Sequence, residues 1–80
     1  MKVKVKVKVP RLGLTVEDAT VMEWHKKVGD AVAAGEVIGV IEADKATVEL
    51  ESPATGTLIE IIGEIGETYD IGAPLAVLEV

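Results

Sequence analysis

The chain has no cysteine and no phenylalanine, and only one tryptophan, one tyrosine and one histidine in 80 residues. Without cysteine there is no disulfide framework and no thiolate metal site. A disulfide-free domain this small fits a reducing compartment such as the cytoplasm better than secretion. One histidine and no thiol leave no nucleophile–base–orienter set, so catalysis by this chain alone is not expected. Scarce aromatics supply little for stacking on bases. Basic residues are also few, eight against fourteen acids for a net charge of -6. Half of them are Lys2, Lys4, Lys6 and Lys8, so the rest of the chain sets four bases against the same fourteen acids. A phosphate backbone is therefore excluded as the main partner. No apolar run is long enough to span a bilayer, and no membrane partner is expected. The alternating Lys-Val start lacks the apolar core of a signal peptide. With no linker or low-complexity segment, residues 1–80 read as one small domain with an economical core.

What is present is alternation with period two. Val3, Val5, Val7 and Val9 interleave with Lys2, Lys4, Lys6 and Lys8, which describes a strand with one apolar and one charged face. Such lysines serve as a solvated face that discourages edge-to-edge aggregation; an anionic surface is the sharper alternative. Further β-rich runs cover Thr20–Trp24, Val37–Ile41, Thr47–Glu51, Thr57–Ile62 and Pro74–Val80. Val28–Gly35 and Ile65–Gly72 read as turn-rich connections, and no helix is expected, because Ala31–Ala34 is too short.

An internal repeat sets the architecture. Shifted by 37 residues, 18–43 lies on 55–80, matching Thr20 to Thr57, Glu23 to Glu60, Gly29 to Gly66, Gly35 to Gly72, Val40 to Val77 and Glu42 to Glu79. Apolar positions agree as well, Val21 with Leu58, Ile38 with Leu75 and Ile41 with Leu78. The paired glycines imply one backbone demand met twice, such as positive φ in a tight turn. Two similar β halves predict an all-β fold of two antiparallel sheets with approximate two-fold symmetry, closed face to face as a flattened barrel or sandwich. The segment between the copies holds Asp44 and Lys45, with strands leading in and out, so it reads as a hairpin tip. The chain termini are expected at the opposite end of the body.

A lysine in a turn is ordinarily just solvated. The surroundings add more. Glu42-Ala43-Asp44-Lys45-Ala46 resembles the modification site of lipoyl domains, the carrier modules of the acyltransferase components of 2-oxo acid dehydrogenase complexes. The family's pattern there is acidic-Thr-Asp-Lys-Ala. Pro10-Arg11-Leu12-Gly13, Thr20-Val21-Met22-Glu23-Trp24, Val28-Gly29-Asp30-Ala31-Val32, Gly35-Glu36 and Ser52-Pro53-Ala54-Thr55-Gly56 resemble its other motifs, in order and at its spacing. The resemblance implies a barrel-sandwich hybrid fold and lipoate attached covalently to Lys45. It also implies recognition of the tip through Asp44 and Ala46, with Glu42 beside them. The implied partners are a lipoate ligase or lipoyl transferase, a thiamine-dependent 2-oxo acid decarboxylase, an acyltransferase catalytic domain and dihydrolipoamide dehydrogenase. The implied location is the cytoplasm, or the mitochondrial matrix in a eukaryote, and the isolated domain is expected to be a monomer. Ala43 stands where the family has Thr, which bears on ligase recognition. The loop Leu14-Thr15-Val16-Glu17-Asp18-Ala19, more acidic than in many relatives, bears on the decarboxylase. The Pro-x-Leu-Gly opening leans toward pyruvate- or acetoin-type complexes. A full acyltransferase subunit would continue into a flexible linker, a subunit-binding domain and a catalytic domain, so the chain is expected to be an excised domain or a free-standing carrier.

The tip arms the lysine for carriage. Its long stem and primary amine suit amide attachment, and the cofactor, not the protein, carries the chemistry. Glu42, Asp44, Glu49 and Glu51, with Glu17 and Asp18, form an acidic neighbourhood in sequence, read either as steering for basic partners or as solvated strand charges. The first alternative in the same fold is a biotinyl carrier of a carboxylase, whose lysine is flanked by Met on both sides, unlike Asp44 and Ala46. The second is an unmodified barrel-sandwich interaction module, since fold alone does not settle function. A carrier of the glycine-cleavage type has a longer chain and a different tip. His25 reads as a surface residue, Trp24 as core, and Tyr69 as packing beside a turn with its hydroxyl in water.

Overall fold

The computed structural model describes residues 3–11, 17–44 and 46–80. Its eight strands are β1 Lys4–Lys8, β2 Asp18–Trp24, β3 Ala31–Val32, β4 Val37–Ala43, β5 Ala46–Glu51, β6 Gly56–Ile61, β7 Thr68–Asp70 and β8 Pro74–Glu79. They form two four-stranded antiparallel sheets, ordered β1-β8-β6-β3 and β5-β4-β2-β7. No helix occurs among the described residues. The all-β, two-sheet architecture expected from alternation is what the chain builds.

The inward rows make the core. Ile38, Ile41, Leu58, Leu75 and Leu78 are fully buried, with Val7 and Val21 beside them. Each such side chain contributes about 1.5–3 kcal/mol of burial. In β1 the alternation holds from Val5 to Val9, with the lysines exposed, but Val3 is 55 % exposed and lies outside the core. The two connections are not turns throughout. They carry β3 and β7, each of which pairs with a strand of the other repeat, β3 with β6 and β7 with β2. The copies therefore interlock, and neither half is a unit alone.

The repeat is realised in the backbone. Gly29, Gly35, Gly66 and Gly72 all have positive φ, between 84° and 100°. The Gly29 N–H donates to Leu58 C=O at 2.7 Å, and the Gly66 N–H to Val21 C=O at 2.8 Å. One extra residue bulges out at Met22 in β2 and at Ile59 in β6, and likewise at Ile38 in β4 and Leu75 in β8. A second relation, a shift of 43, maps β1 onto β5: Val7 pairs with Ala76 as Leu50 pairs with Gly39, and Lys4 with Glu79 as Thr47 with Glu42.

Trp24 breaks the symmetry where Ile61 stands in the other half. Its indole packs against the core and its Nε1–H donates to Gly63 C=O at 2.7 Å. Room for the ring comes from two glycines. A Cβ on Gly39 would lie 3.1 Å from the indole and 2.7 Å from Glu23 O, and one on Gly63 would lie 3.4 Å from the indole. Their counterparts in the repeat are Ala76 and Lys26. Tyr69 is half-buried and its hydroxyl is engaged, accepting the Glu64 N–H at 2.9 Å. That bond caps a turn as the Asp30 carboxylate caps the equivalent Lys27 N–H at 3.0 Å.

Candidate functional site

Strand β4 ends at Ala43 and β5 begins at Ala46, and these two residues pair directly. Two residues, Asp44 and Lys45, therefore make the whole connection. A two-residue hairpin loop demands positive φ to match strand twist. Asp44 supplies it at φ 45°, the one non-glycine with positive φ among the described residues. Aspartate tolerates this region because its short polar side chain can bond locally. The sequence-predicted attachment residue, Lys45, lies outside the described residues. Both its neighbours are described, and both are exposed.

The tip rests on a firm base. Ala43 is 7 % exposed and belongs to the core, with Ile41 buried below it. Glu42 is exposed and lies between Thr20 of β2 and Thr47 of β5. The Thr20 and Thr68 hydroxyls bond at 2.8 Å, tying β2 to β7 at this end. Asp18 sits opposite Asp70 in that pairing, and the Ile71 N–H donates to Glu17 C=O. Glu17, Asp18, Glu42, Asp44 and Asp70 thus share one end of the molecule, all exposed. Asp70 was not foreseen: in the repeat it falls opposite Ala33, and only the β2–β7 pairing brings it here. Glu49 and Glu51 were expected near the tip. They lie three and five residues along β5 from Ala46, about 10 and 17 Å away at strand rise. Leu12, Gly13 and the loop through Val16 lie outside the described residues.

The termini are at the other end. Because β7 pairs with β2 near the tip, β8 starts beside the tip and runs away from it. It finishes where Val3 and Val80 exchange hydrogen bonds, at 3.2 and 2.8 Å. Under the two shifts this pair is the counterpart of Ala43 and Ala46, so one sheet is closed by a two-residue loop where the other is open.

His25 is exposed, its Nε2 3.0 Å from Glu23 Oε2, and no group of three metal-ligating side chains occurs among the described residues. Lys26 Nζ lies 2.9 Å from Glu36 Oε2. A hydrogen bond from the Ala33 N–H, then the Lys26 ammonium, holds the Glu36 carboxyl below its ordinary range, and Glu36 in turn raises Lys26. This pair sits before β4 and is part of the scaffold.

Residues 5–78 match the family described as "Biotin-requiring enzyme". The solution structure of the lipoyl domain of the 2-oxoglutarate dehydrogenase complex from Azotobacter vinelandii superposes with a TM-score of 0.74 at 38 % identity, covering 92 % of this chain and 94 % of that one. The chain is a lipoyl domain. The domain is also similar to larger proteins. It is 47 % identical over 73 residues to the dihydrolipoyllysine-residue succinyltransferase component of the 2-oxoglutarate dehydrogenase complex of Bartonella vinsonii, covering 91 % of this chain and 18 % of that protein. It is 39 % identical over 70 residues to the acetyltransferase component of the pyruvate dehydrogenase complex of Corynebacterium glutamicum, covering 88 % and 10 %. The lipoyl domain thus spans under a fifth of these relatives. They include components of both 2-oxoglutarate and pyruvate complexes.

Proposed function

We propose that this domain carries lipoate in amide linkage on Lys45 and ferries acyl groups and electrons between the active sites of a 2-oxo acid dehydrogenase complex. The observation that supports this most directly is the two-residue Asp44-Lys45 hairpin, exposed on both flanks, at the end of a lipoyl domain. An amine there can enter a ligase cleft without moving the body. Bound lipoate supplies a dithiolane that accepts an acyl group and two electrons. The chain's own residues position it. The Ala43–Ala46 pair and left-handed Asp44 set the loop, Ala46 leaves its far side open, and Glu42 with Asp44 gives the tip its negative charge. Tethering then replaces diffusion by a high local concentration.

The partners on this reading are a lipoate ligase or lipoyl transferase, a thiamine-dependent decarboxylase, an acyltransferase catalytic domain and dihydrolipoamide dehydrogenase, in the cytoplasm or mitochondrial matrix. The domain contributes no catalytic group of its own. The test incubates the domain with lipoate ligase, ATP and lipoate, and in parallel with biotin ligase and biotin, followed by intact mass and peptide mapping. The expected result is a lipoyl increment confined to the Lys45 peptide and absent from Lys45→Arg. A biotin increment instead would assign the domain to a carboxylase. No increment from folded protein would leave an unmodified interaction module.

A further inference from the structure

The two sheets leave a cleft of about 500 Å³ between their edges, lined by residues 6–8 of β1 and 48–51 of β5, with Pro10 and Pro53 beyond the strand ends. Both strands are sheet edges, each paired on one side only among the described residues. Paired strands lie about 4.8 Å apart, whereas the Cα atoms of β1 and β5 mostly stay more than 8 Å from one another. The seam is therefore open, bordered by the free backbone groups of both edges. Val7 and Leu50 turn inward and are buried, closing the bottom of the cleft. Half-buried Val48 and Pro10 leave apolar surface within it. Lys6 and Lys8, and Glu49 and Glu51, belong to the exposed rows, so the two rims carry opposite charge. The shift of 43 makes Lys6 the counterpart of Glu49 and Lys8 of Glu51, so the cleft is two-fold in backbone while its rims differ in sign. No ion pair within 4 Å joins the rims among the described residues.

Charges of opposite sign held apart over apolar surface match a molecule with opposite charges at the two ends of an apolar stem. A carboxylate suits the lysine ammonium groups, and an ammonium suits the glutamates. Each exposed pair contributes little alone, so both ends and the stem must engage together. A lysine at the C-terminus of a peptide has this form, with its α-carboxylate and ε-ammonium joined by methylenes. The cleft lies in the volume range of small-molecule sites and has room for more than one side chain. The free backbone groups of its edges can bond the residues before that lysine, as they would an added strand. A free amino acid would leave them unused. Edge protection is served by charges of either sign; only a zwitterion requires opposite signs on the two rims.

We propose that this cleft binds the C-terminal lysine of a peptide, its α-carboxylate held by Lys6 and Lys8 and its ε-ammonium by Glu49 and Glu51. Binding is weak, with a Kd of about 1–10 mM, and weakens as salt rises. Nothing in this proposal depends on lipoylation.

The test follows amide NMR shifts of the whole 80-residue chain as acetyl-Ala-Ala-Lys with a free carboxylate is added at low salt. The expected result is a saturable shift confined to residues along β1 and β5. The same peptide ending in a carboxamide, or with norleucine in place of lysine, lacks one charge and should bind about threefold or more weakly. Lys6→Glu/Lys8→Glu makes both rims acidic, and Glu49→Lys/Glu51→Lys makes both basic; each double variant should lose the saturable shift. The quadruple variant, with the rims exchanged, should regain it, because the backbone of the cleft is two-fold. It keeps the test decisive if either double variant fails to fold. A parent chain with no saturable shift would overturn the proposal. So would binding indifferent to the loss of either peptide charge, or a folded quadruple variant that does not bind.

Discussion

Strands β1 and β5 occupy equivalent places in the two sheets, at matching register against β8 and β4, yet one presents lysines where the other presents threonine and glutamates. Their partners are nearly the same: Glu79 and Val77 in one sheet stand for Glu42 and Val40 in the other. The fold is indifferent to this exchange because the outward row lies in water, while the inward valines and leucines hold both strands alike. The two ends of the body differ in the same manner. Val3 and Val80 are bonded much as Ala43 and Ala46 are paired, but only the latter are joined by a loop. Backbone pattern is thus shared between the halves, and chemistry enters where the halves are allowed to differ.

The largest contrast is expected between the ends. Lys2 precedes Val3 as Lys45 precedes Ala46, so a ligase that read local sequence position alone would meet two candidates. Peptide mapping after modification should show all of the increment lost in Lys45→Arg and none lost in Lys2→Arg. Next comes Trp24, the chief break in core symmetry. Trp24→Ile would remove the bond to Gly63 and leave a void between Gly39 and Gly63, costing about 2–4 kcal/mol in urea denaturation. Ile61→Val, at the equivalent position, should cost only about 0.5–1.5 kcal/mol.

A smaller effect sharpens the likeness of the halves. Gly29 and Gly66 share positive φ, and a Cβ on either would meet nothing within 4 Å, so only backbone strain is at stake. Gly29→Ala and Gly66→Ala should each cost about 1–2 kcal/mol, and by similar amounts. Unequal midpoints would show that the two turns are not equivalent. Smallest is the Lys26–Glu36 pair, which has no counterpart in the second half. The Glu36 carboxyl is depressed, so its contribution is complete above the ordinary carboxylate range and fades as pH falls through the lowered value. Lys26 is raised, so its contribution is complete below the ordinary lysine range and fades as pH rises through the raised value. Glu36→Gln should flatten the acid limb of a urea-midpoint profile and leave the neutral region nearly unchanged.

Much of this was readable from residue order. Alternation located six strands, and the shift of 37 located the glycine turns that prove to have positive φ. The hairpin between the copies follows from the same shift. Strands β3 and β7 were hidden because two or three residues cannot display a period. The kinship of β1 and β5 was hidden because Lys-Val and Thr-Val-Glu-Leu-Glu share only their inward residues, and hydrogen bonds, not composition, reveal it. Asp70 and the withdrawal of Glu49 and Glu51 from the tip depend on which strands pair across the repeat. Nearness in sequence could not give that. Of the predicted site, Asp44, Ala46 and Glu42 are exposed at the β4–β5 hairpin, and Lys45 lies outside the described residues.

The separation of tip from termini has a mechanical consequence. The body measures 39 × 20 × 19 Å, with the Ala43–Ala46 hairpin at one end and the Val3–Val80 pair at the other. A tether fixed at the Val3–Val80 end would hold this body as a stiff boom, so the volume swept by the hairpin would grow by the domain's own length at no cost in chain entropy. A loose peptide of equal span would spread its end over many conformations. On the proposed reading, such a boom would keep a group carried at the hairpin on the rim of the sweep, pointed away from the tethered end.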